Sequence, residues 1–472
     1  MTATNLSSYF NDGDTICAVS TAHGTGGVAV VRVSGSNAIA VCSKLFIPNK
    51  GLPLVDRLSH TLTYGSVMDG NNTVDDVVVS LFRAPRSFTG EDVVEISCHG
   101  SLFIQQEIMQ LLIKNGCRTA HAGEFTQRAF LNGKLDLSQA EAVADLIAAT
   151  SAASHRLALS QMRGGFSREL ELLRDEMLAF TSLIELELDF SEEDVEFADR
   201  SKLDELITHI KTVLHRLIDS FRVGNAVKNG IPVAIVGETN AGKSTLLNLL
   251  LKDDKAIVSE IHGTTRDVVE DVTTINGVMF RFIDTAGIRE TSDTIESMGI
   301  ERTFRKIEQA AIVLWVVDAT SSDALIEAMS KIILPKTADK ELVLLFNKSD
   351  LLPESELNRK QRLSGLPEVA TLAISARERS NIDALEKMLI KLSGIDTLNN
   401  SDIVVTNARH YEALTKARDA VSRIQEGLRD HASGDFLSQD IREAIHYLGE
   451  ITGTITTDEI LGNIFSKFCV GK

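Results

Sequence analysis

Residues 231–244 read IPVAIVGETNAGKS, an apolar run that ends in a glycine-rich loop. The loop, Gly237–Ser244, matches the pattern G-x-x-x-x-G-K-S, and the helix-forming run STLLNLLL continues from it. In this context the pattern indicates a phosphate-binding loop, where backbone N–H groups and a helix N-terminus surround phosphate oxygens. We expect Lys243 to reach the β- and γ-phosphates and Ser244 to bind Mg²⁺. The stretch therefore predicts an α/β nucleotide-binding domain.

Four further apolar runs follow this loop, separated by helical periods: MFRFI, AIVLWVVDA, ELVLLF and TLAI. Strands that alternate with helices predict a parallel sheet with helices on both faces. Polar motifs lie at the ends of these runs or between them, namely Gly263–Asp267, Asp284–Gly287, Asn347–Asp350 and Ser375–Arg377. A carboxylate at Asp350 accepts hydrogen bonds from the paired N–H donors of guanine, which adenine lacks. The order of these motifs resembles that of the small, Ras-like GTPase domains.

The residue after the DTAG glycine is Ile288, whereas many GTPases have a glutamine there that orients the attacking water. An isoleucine side chain cannot hydrogen-bond, so another group must orient the water. Four charged residues nearby are candidates: Arg289, Glu290, Glu296 and Glu301. Spacing assigns no arginine to the transition state, and a monovalent cation held by Asn240 and loop carbonyls is an alternative source of positive charge.

The overall composition restricts the location and the partners. Of the 472 residues 48 are basic and 66 acidic, a net charge of −18, which argues against general binding of polyanions such as ribosomal RNA. Five scattered cysteines are typical of a reducing compartment. We find no signal peptide and no apolar run that spans a membrane, so we expect a cytoplasmic protein without membrane association.

Changes in residue composition and in the spacing of apolar residues along the chain predict a multidomain α/β protein. Residues 1–130 form an α+β domain, residues 131–228 the first part of a helical domain, residues 229–384 an inserted GTPase domain, and residues 385–472 the second helical part. The helical pattern, rich in alanine and leucine, begins near Leu137, where Ser138 and Glu141 fit a capping box.

The chain as a whole closely resembles the tRNA-modification GTPases of the MnmE or TrmE family. The resemblance rests on GGVAVVRVSG, FTGEDVVEISCHG, GEFTQRAFLNGKLDLSQAEAVADLI, NAGKSTLLN, GTTRD, DTAGIRE, NKSD and the terminal FCVGK. It implies a GTPase that, with the FAD-containing protein MnmG in a heterotetramer, adds an aminomethyl-type group to C5 of the wobble uridine of certain tRNAs.

The resemblance also implies the role of the N-terminal domain. This domain is expected to form a homodimer and to bind a tetrahydrofolate derivative, 5-formyl or 5,10-methylene, as the one-carbon donor. The implied folate contacts are Arg32, Glu95, Lys134 and Lys472. From the sequence alone an ordinary ion pair between strands is the simpler interpretation of Arg32 and Glu95.

For the GTPase domain the resemblance places Mg²⁺ on Ser244 and Thr265, K⁺ on Asn240, Ser259, Ile261 and Thr264, and water orientation on Glu296. Lys243 and Cys469 complete the expected catalytic set. With the motifs above, the expected GTP contacts are Asn240, Ala241, Gly242, Lys243, Ser244, Thr245, Ser259, Glu260, Ile261, His262, Gly263, Thr264, Thr265, Asp284, Thr285, Ala286, Gly287, Asn347, Lys348, Asp350, Ser375, Ala376 and Arg377.

The C-terminal tail, residues 468–472, reads FCVGK. One interpretation is a disordered stub with a stray cysteine. Another is a prenylation motif, which these residues match poorly. The family resemblance favours a tail that lies in a groove of the folate domain, where Gly471 lets the backbone pass closely and Cys469 brings a thiol near the one-carbon unit. A regulatory or assembly GTPase without modification chemistry is the main alternative for the whole protein, and folate binding separates the two.

Overall fold

The computed structural model describes residues 13–189, 200–252, 270–283, 304–362, 369–394, 403–430, 432 and 434–471. The chain forms two compact units. The first comprises Met1–Ala144, Gln161–Ile207 and Asp419–Lys472, and the second comprises Asp145–Ser160 and Thr208–Arg418. Both units are therefore built from separated segments of the chain. The division predicted at residues 130, 228 and 384 remains a prediction.

The first unit contains a sheet in the order β3-β4-β5-β6-β2-β1-β7, in which β1 and β7 are parallel and the other neighbours antiparallel. Its buried face carries alternating apolar residues of β2, β5 and β6, as a half-buried sheet requires. The strands are β1 Thr15–Val19, β2 Gly26–Ser34, β3 Phe46–Pro48, β4 Thr61–Asp69, β5 Asn72–Phe82, β6 Val93–Gly100 and β7 Cys117–Thr119.

Helices complete the first unit. Two of them, α1 (Ala38–Leu45) and α2 (Leu102–Lys114), pack on the buried face of the sheet, and α3 (Glu124–Leu131) follows β7. The first unit also contains most of α4 (Leu137–Ala148), α6 (Gly165–Asp189), α13 (Gly434–Thr452) and α14 (Asp458–Phe465). Most of α5 (Ala152–Met162) and of α7 (Arg200–Asn229) belongs to the second unit, and α12 (Ala408–Arg429) is divided between the two. In the first unit α6 packs against α13, and α14 packs against α3.

The second unit contains a sheet in the order β13-β12-β11-β8-β10-β9, parallel except for the antiparallel pair β9–β10. Its strands are β8 Ile231–Val236, β9 Asp271–Ile275, β10 Val278–Phe282, β11 Ile312–Asp318, β12 Glu341–Asn347 and β13 Ala370–Ala373. The helices α8 (Lys243–Lys252), α9 (Asp323–Ile333), α10 (Glu354–Gln361) and α11 (Ile382–Leu392) belong to this unit. Buried clusters lie on both sheet faces, so the predicted parallel α/β layering is confirmed.

The capping box at the start of α4 differs from the prediction. Asp136, not Ser138, caps the helix: its Oδ1 accepts from the Gln139 N–H at 2.9 Å, and Gln139 Oε1 accepts from the Asp136 N–H at 3.0 Å. The Ser138 hydroxyl donates to Asp136 Oδ1 at 2.8 Å. Because α4 begins at Leu137, the reciprocal pair falls on the residue before it and the third residue inside it.

Within the residues that the structure describes, no helix combines the length and the apolar character needed to cross a membrane.

Candidate functional site: a nucleotide loop and a docked C-terminal tail

The glycine-rich loop packs closely against neighbouring strands. A Cβ atom on Gly237, whose φ is +143°, would lie 2.0 Å from the carbonyl oxygen of Val316 in β11. A Cβ atom on Gly242, whose φ is +94°, would lie 2.1 Å from Nδ2 of Asn347. Both positions therefore need glycine for their backbone conformation and for space. Asn240, at the exposed tip of the loop, also has a left-handed backbone with φ 64°.

Lys243 is the first residue of α8 and turns back towards its own loop. Its Nζ donates to the carbonyl oxygens of Gly237, at 2.8 Å, and of Glu238. Burial lowers the pKa of Lys243, and the positive charge of Lys306 lowers it further. A phosphate bound at this loop would offset both effects because an anion nearby favours the charged ammonium. The position suits the predicted role of a phosphate-binding lysine.

Asn347 ties the glycine-rich loop to the segment after β13. Its Nδ2 donates to the Ala241 carbonyl oxygen at 2.8 Å, and its Oδ1 accepts from the Ala376 N–H at 3.0 Å. The side chain is only 3% exposed, so both bonds form away from water. One amide thereby fixes the distance between two parts of the predicted GTP site that are far apart in sequence.

Lys348 has a left-handed backbone with φ 62°, and its Nζ donates to Oδ2 of Asp318 at 2.6 Å. Asp318 is the last residue of β11, and its Oδ1 accepts from the N–H and the hydroxyl of Thr320. Burial alone would raise the pKa of Asp318, but the hydrogen bonds from Lys348 and Thr320 outweigh it and hold the pKa below its usual value. Asp318 thus fixes the lysine beside the predicted guanine site.

The remaining described residues of the predicted site lie on the loops at the same edge of the sheet. Asp350 is exposed in the short 3-10 turn Ser349–Leu351 after β12. Ser375 is buried, and its hydroxyl accepts from the Glu378 N–H at 3.1 Å. Ala376 is buried and Arg377 exposed. At the start of α8, Ser244 is partly buried and Thr245 exposed.

In the first unit Arg32 and Glu95 are opposite each other on β2 and β6. Arg32 Nε donates to Glu95 Oε1 at 2.8 Å, and its guanidinium lies 5.5 Å from the ring centre of Phe88 and 5.6 Å from that of Phe125. Lys134 Nζ donates to the Pro85 carbonyl oxygen at 3.0 Å. The ion pair between strands, the simpler interpretation from sequence, is present. It stands between two aromatic rings on the outward face of the sheet.

Beside this ion pair lies a buried network of charges. Glu124 is fully buried and accepts from Arg118, from Arg128 and, at 2.8 Å, from the His121 N–H. Burial alone would raise the pKa of Glu124, but the Arg118 guanidinium, the His121 N–H and the Arg128 guanidinium hold it below its usual value. Asp14 accepts from both arginines. The network fixes the start of α3 against β1 and β7.

The described part of the C-terminal tail is docked on the first unit. Val470 forms an antiparallel β-bridge with Ala122, and the Gly123 N–H donates to the Cys469 carbonyl oxygen at 3.3 Å. The Ser20 hydroxyl donates to the Gly471 carbonyl oxygen at 3.0 Å. A Cβ atom on Gly471, whose φ is +94°, would lie 2.3 Å from the Val19 carbonyl oxygen. The predicted close passage of the backbone at Gly471 is confirmed, and Cys469 is exposed.

Comparison with known proteins shows the family to which this chain belongs. The family model described as the MnmE helical domain matches residues 137–469, and that of the GTP-binding protein TrmE N-terminus matches residues 15–134. The tRNA modification GTPase MnmE of Bacteroides thetaiotaomicron is 60% identical over 466 residues, covering 97% of this chain and 99% of the relative. This chain belongs to the MnmE family of tRNA modification GTPases.

The MnmE protein of Parabacteroides distasonis is 59% identical over 462 residues, covering 97% of this chain and 100% of the relative. A solved structure of Era in complex with MgGDPNP and nucleotides 1506-1542 of 16S ribosomal RNA matches 40% of this chain and 66% of that chain, at 29% identity and a TM-score of 0.27. A superposition of that quality transfers no property to the present chain.

Part of the site expected for an MnmE-family protein lies outside the described residues. These positions are Ser259, Glu260, Ile261, His262, Gly263, Thr264, Thr265, Asp284, Thr285, Ala286, Gly287, Glu296 and Lys472. Their predicted roles remain predictions.

The amino-acid pattern alone did not predict several residues that shape the two sites. Asp318 could have been predicted from the sequence, because it is the last residue of an apolar strand and lies at the sheet edge where the polar motifs lie. Ser20, Glu124 and Arg128 had no such signal, since their partners are distant in sequence and no local pattern joins them.

Proposed function

We propose that this chain hydrolyses GTP and, together with MnmG, installs an aminomethyl or carboxymethylaminomethyl group at C5 of the wobble uridine of certain tRNAs. A tetrahydrofolate derivative, 5-formyl or 5,10-methylene, supplies the carbon. The observation that carries the modification chemistry is the docked tail. It brings Cys469 to the sheet that carries Arg32 and Glu95, and a GTPase acting only as a binding module has no need of that arrangement.

The nucleotide loop supports the GTPase part of the proposal. Gly237 and Gly242 let the loop backbone pack closely against Val316 and Asn347, and Lys243 directs its ammonium into the same loop, where it would pair with a bound phosphate. Ser244, at the start of α8, offers a hydroxyl ligand of the kind that Mg²⁺ accepts, with Thr265 as the second proposed protein ligand. Mg²⁺ held there would neutralise the charge that develops on the phosphates.

K⁺ is proposed as the additional positive charge at the phosphates, held by Asn240, Ser259, Ile261 and Thr264, while Glu296 orients the attacking water. Asn240 supports this because it stands exposed at the tip of the loop. Replacing K⁺ by Na⁺ should slow GTP turnover at least tenfold, and Asn240→Ala should remove the difference between the two salts. Equal rates of the wild-type protein in both salts would contradict the proposal.

The outward face of the N-terminal sheet suits a reduced folate. Glu95 offers a carboxylate to the paired N–H donors of a pterin ring, and Arg32 with the partly exposed ring of Phe88 beside it offers a flat surface. Lys134 and Lys472 are proposed to pair with the carboxylates of the glutamate end. We further propose a homodimer through the N-terminal part, a heterotetramer with MnmG and a cytoplasmic location.

Nucleoside analysis of bulk tRNA tests the function as a whole. Deleting the gene should remove the modified wobble uridines, and a plasmid with the wild-type gene should restore them. Unchanged wobble uridines in the deletion strain would refute the modification role while leaving GTP hydrolysis intact.

A further inference from the structure

Two arginines of the first unit are held by backbone carbonyl groups and have no role in the sites above. Arg57 Nε donates to the Leu52 carbonyl oxygen at 2.7 Å, and Nη2 donates to that of Lys50 at 2.8 Å. Arg83 Nη2 donates to the carbonyl oxygens of Val55, at 2.7 Å, and of Arg57, at 3.1 Å, and its Nε donates to the latter at 3.2 Å. Each guanidinium is thus fixed through Nε and Nη2.

A third arginine continues this surface. The Arg86 backbone N–H donates to the Arg83 carbonyl oxygen at 2.9 Å, and the exposed Arg86 side chain forms no hydrogen bond or ion pair with the described residues. The segments 50–57 and 83–86 contain one acidic residue, Asp56, and a further carboxylate, that of Asp92, accepts from the Ala84 N–H at 2.9 Å. Four residues of these segments form the basic patch: Lys50, Arg57, Arg83 and Arg86.

Other arginines of the same unit are paired with carboxylates. Arg32 pairs with Glu95, and both Arg118 and Arg128 pair with Glu124. Within the part of the chain that the structure describes, no member of the basic patch has such a partner. The patch therefore keeps its positive charge, although the chain as a whole has a net charge of −18. A local positive field of this kind attracts an anionic partner.

The hydrogen bonds of Arg57 and Arg83 suit phosphate binding. A carbonyl oxygen orients a guanidinium without neutralising it, and Nη1 of each arginine has no partner among the described residues. A planar cation held in place loses little conformational freedom when it pairs with phosphate oxygens. The two side chains are thereby oriented before a ligand arrives.

The basic patch borders the proposed folate site. Lys134, a proposed folate contact, donates through Nζ to the carbonyl oxygen of Pro85, which precedes Arg86. Phe88, two residues after Arg86, has its ring centre 5.5 Å from the Arg32 guanidinium. A polyanion bound to the patch therefore passes beside the proposed one-carbon donor.

We propose that the basic patch binds the sugar-phosphate backbone of the tRNA substrate and brings the wobble uridine to the folate site. The inference rests on the proposed function. The two carboxylates of a single glutamate end are already matched by Lys134 and Lys472, whereas the patch adds four cationic groups, a number that suits the repeating charges of RNA. Phosphate contacts orient the tRNA and do not read its sequence.

Charge reversal at Arg86 tests the patch without removing a side-chain hydrogen bond. Filter binding measures the affinity of the full chain for tRNA between about 50 and 200 mM salt. Arg86→Glu should weaken binding about fivefold or more at the lowest salt and should reduce the slope of log affinity against log salt by about 0.7 to 0.9. Arg163→Glu is the matched control, because Arg163 is exposed in the same unit outside the patch.

Unchanged affinity and slope in Arg86→Glu would overturn the inference, and so would an equal loss in Arg163→Glu, which would indicate a general effect of net charge. Ultraviolet cross-linking of tRNA to the wild-type chain, followed by peptide mapping, should place cross-links in residues 50–57 or 83–86. Cross-links confined to other segments would also overturn it.

Turnover separates the patch from the folate site. With MnmG present, Arg86→Glu should raise the KM for tRNA about fivefold, while kcat, GTP turnover and the affinity for 5-formyltetrahydrofolate stay within about twofold of wild type. Weaker folate binding with unchanged tRNA binding would assign the patch to the glutamate end and overturn the inference. A wild-type protein that binds tRNA at the patch but forms no modified uridine would instead refute the proposed function.

Discussion

Asn347 shows how a single residue sets the geometry of the nucleotide site. Its amide supplies one donor and one acceptor to two buried backbone groups, those of Ala241 and Ala376. A buried polar group that loses its partner costs more than a hydrogen bond contributes on average. The residue therefore shapes the site even without touching a nucleotide.

We expect Asn347→Ala to lower the free energy of unfolding by about 2 kcal/mol, since it leaves two buried backbone groups unpaired. GTP affinity should fall in the same variant. Chemical denaturation and nucleotide titration measure the two effects. Asn229→Ala is the control, because the Asn229 side chain donates to an exposed partner, Asn225. Equal stability of the two variants would contradict this account of Asn347.

Asp350 should decide base selectivity. Asp350→Asn removes the acceptor for the paired donors of guanine, and GTP should bind about 100-fold more weakly while xanthosine triphosphate binds better. Competition between the two nucleotides measures the change. An unchanged preference for GTP would disprove the assignment.

Single residues also show what the sequence could predict. Gly237, Gly242 and Lys243 were predictable because the motif itself specifies the local backbone. The bond of Asn347 to Ala241 spans 106 residues and arises only when β8 and β12 flank the same strand of the sheet.

At the scale of elements, the predicted strands agree with the structure where apolar residues alternate or form a buried run. Strand β4 was not predicted, because its outward face carries the apolar residues Leu62 and Tyr64, which are 72% and 54% exposed. Apolar residues on both faces remove the alternation that marks a half-buried strand. The short antiparallel β9 was missed because it lies outside the regular alternation of strands and helices.

The start of α3 depends on Glu124. Glu124→Gln should lower the free energy of unfolding by about 3 kcal/mol at neutral pH, because it leaves the buried guanidinium of Arg128 less compensated. The lowered pKa of Glu124 means that its contribution is present above about pH 4.3, the usual value for glutamate, and is lost as the pH falls through the lowered pKa.

Urea denaturation from pH 7 to pH 3 should therefore show a difference in the free energy of unfolding between wild type and Glu124→Gln. This difference should become smaller only in acid. Glu412→Gln is the control, since Glu412 pairs with Lys416 on an exposed helix face. A difference in the free energy of unfolding that does not change with pH would show that Glu124 contributes through packing and not through its charge.

The docked tail should depend on Gly471. Gly471→Ala would place a Cβ atom against the Val19 carbonyl oxygen and should displace the tail, so the Gly123 amide should exchange its hydrogen faster. tRNA modification should fall with it. Gly462→Ala is the control, because a Cβ atom there meets nothing within 4 Å. Unchanged exchange at Gly123 in Gly471→Ala would mean that the tail tolerates the added side chain.

At the scale of the whole molecule, the nucleotide loop and the docked tail belong to different compact units. Cys469→Ser should therefore leave GTP turnover within about twofold of wild type, while the modified wobble uridine falls at least tenfold if the thiol acts near the one-carbon unit. Ser466→Ala, in the turn just before the tail, is the control. Wild-type modification by Cys469→Ser would end the chemical role of the thiol.

The bond between Ser20 and Gly471 joins residues 451 positions apart. A ribosome adding about 5–20 residues per second needs on the order of 20 to 90 s to travel that distance. Throughout that time the Ser20 hydroxyl has no Gly471 carbonyl oxygen to bind. The contact that fixes the tail beside β1 therefore forms only after the segment around Gly471 has been synthesised, long after the residues of β1.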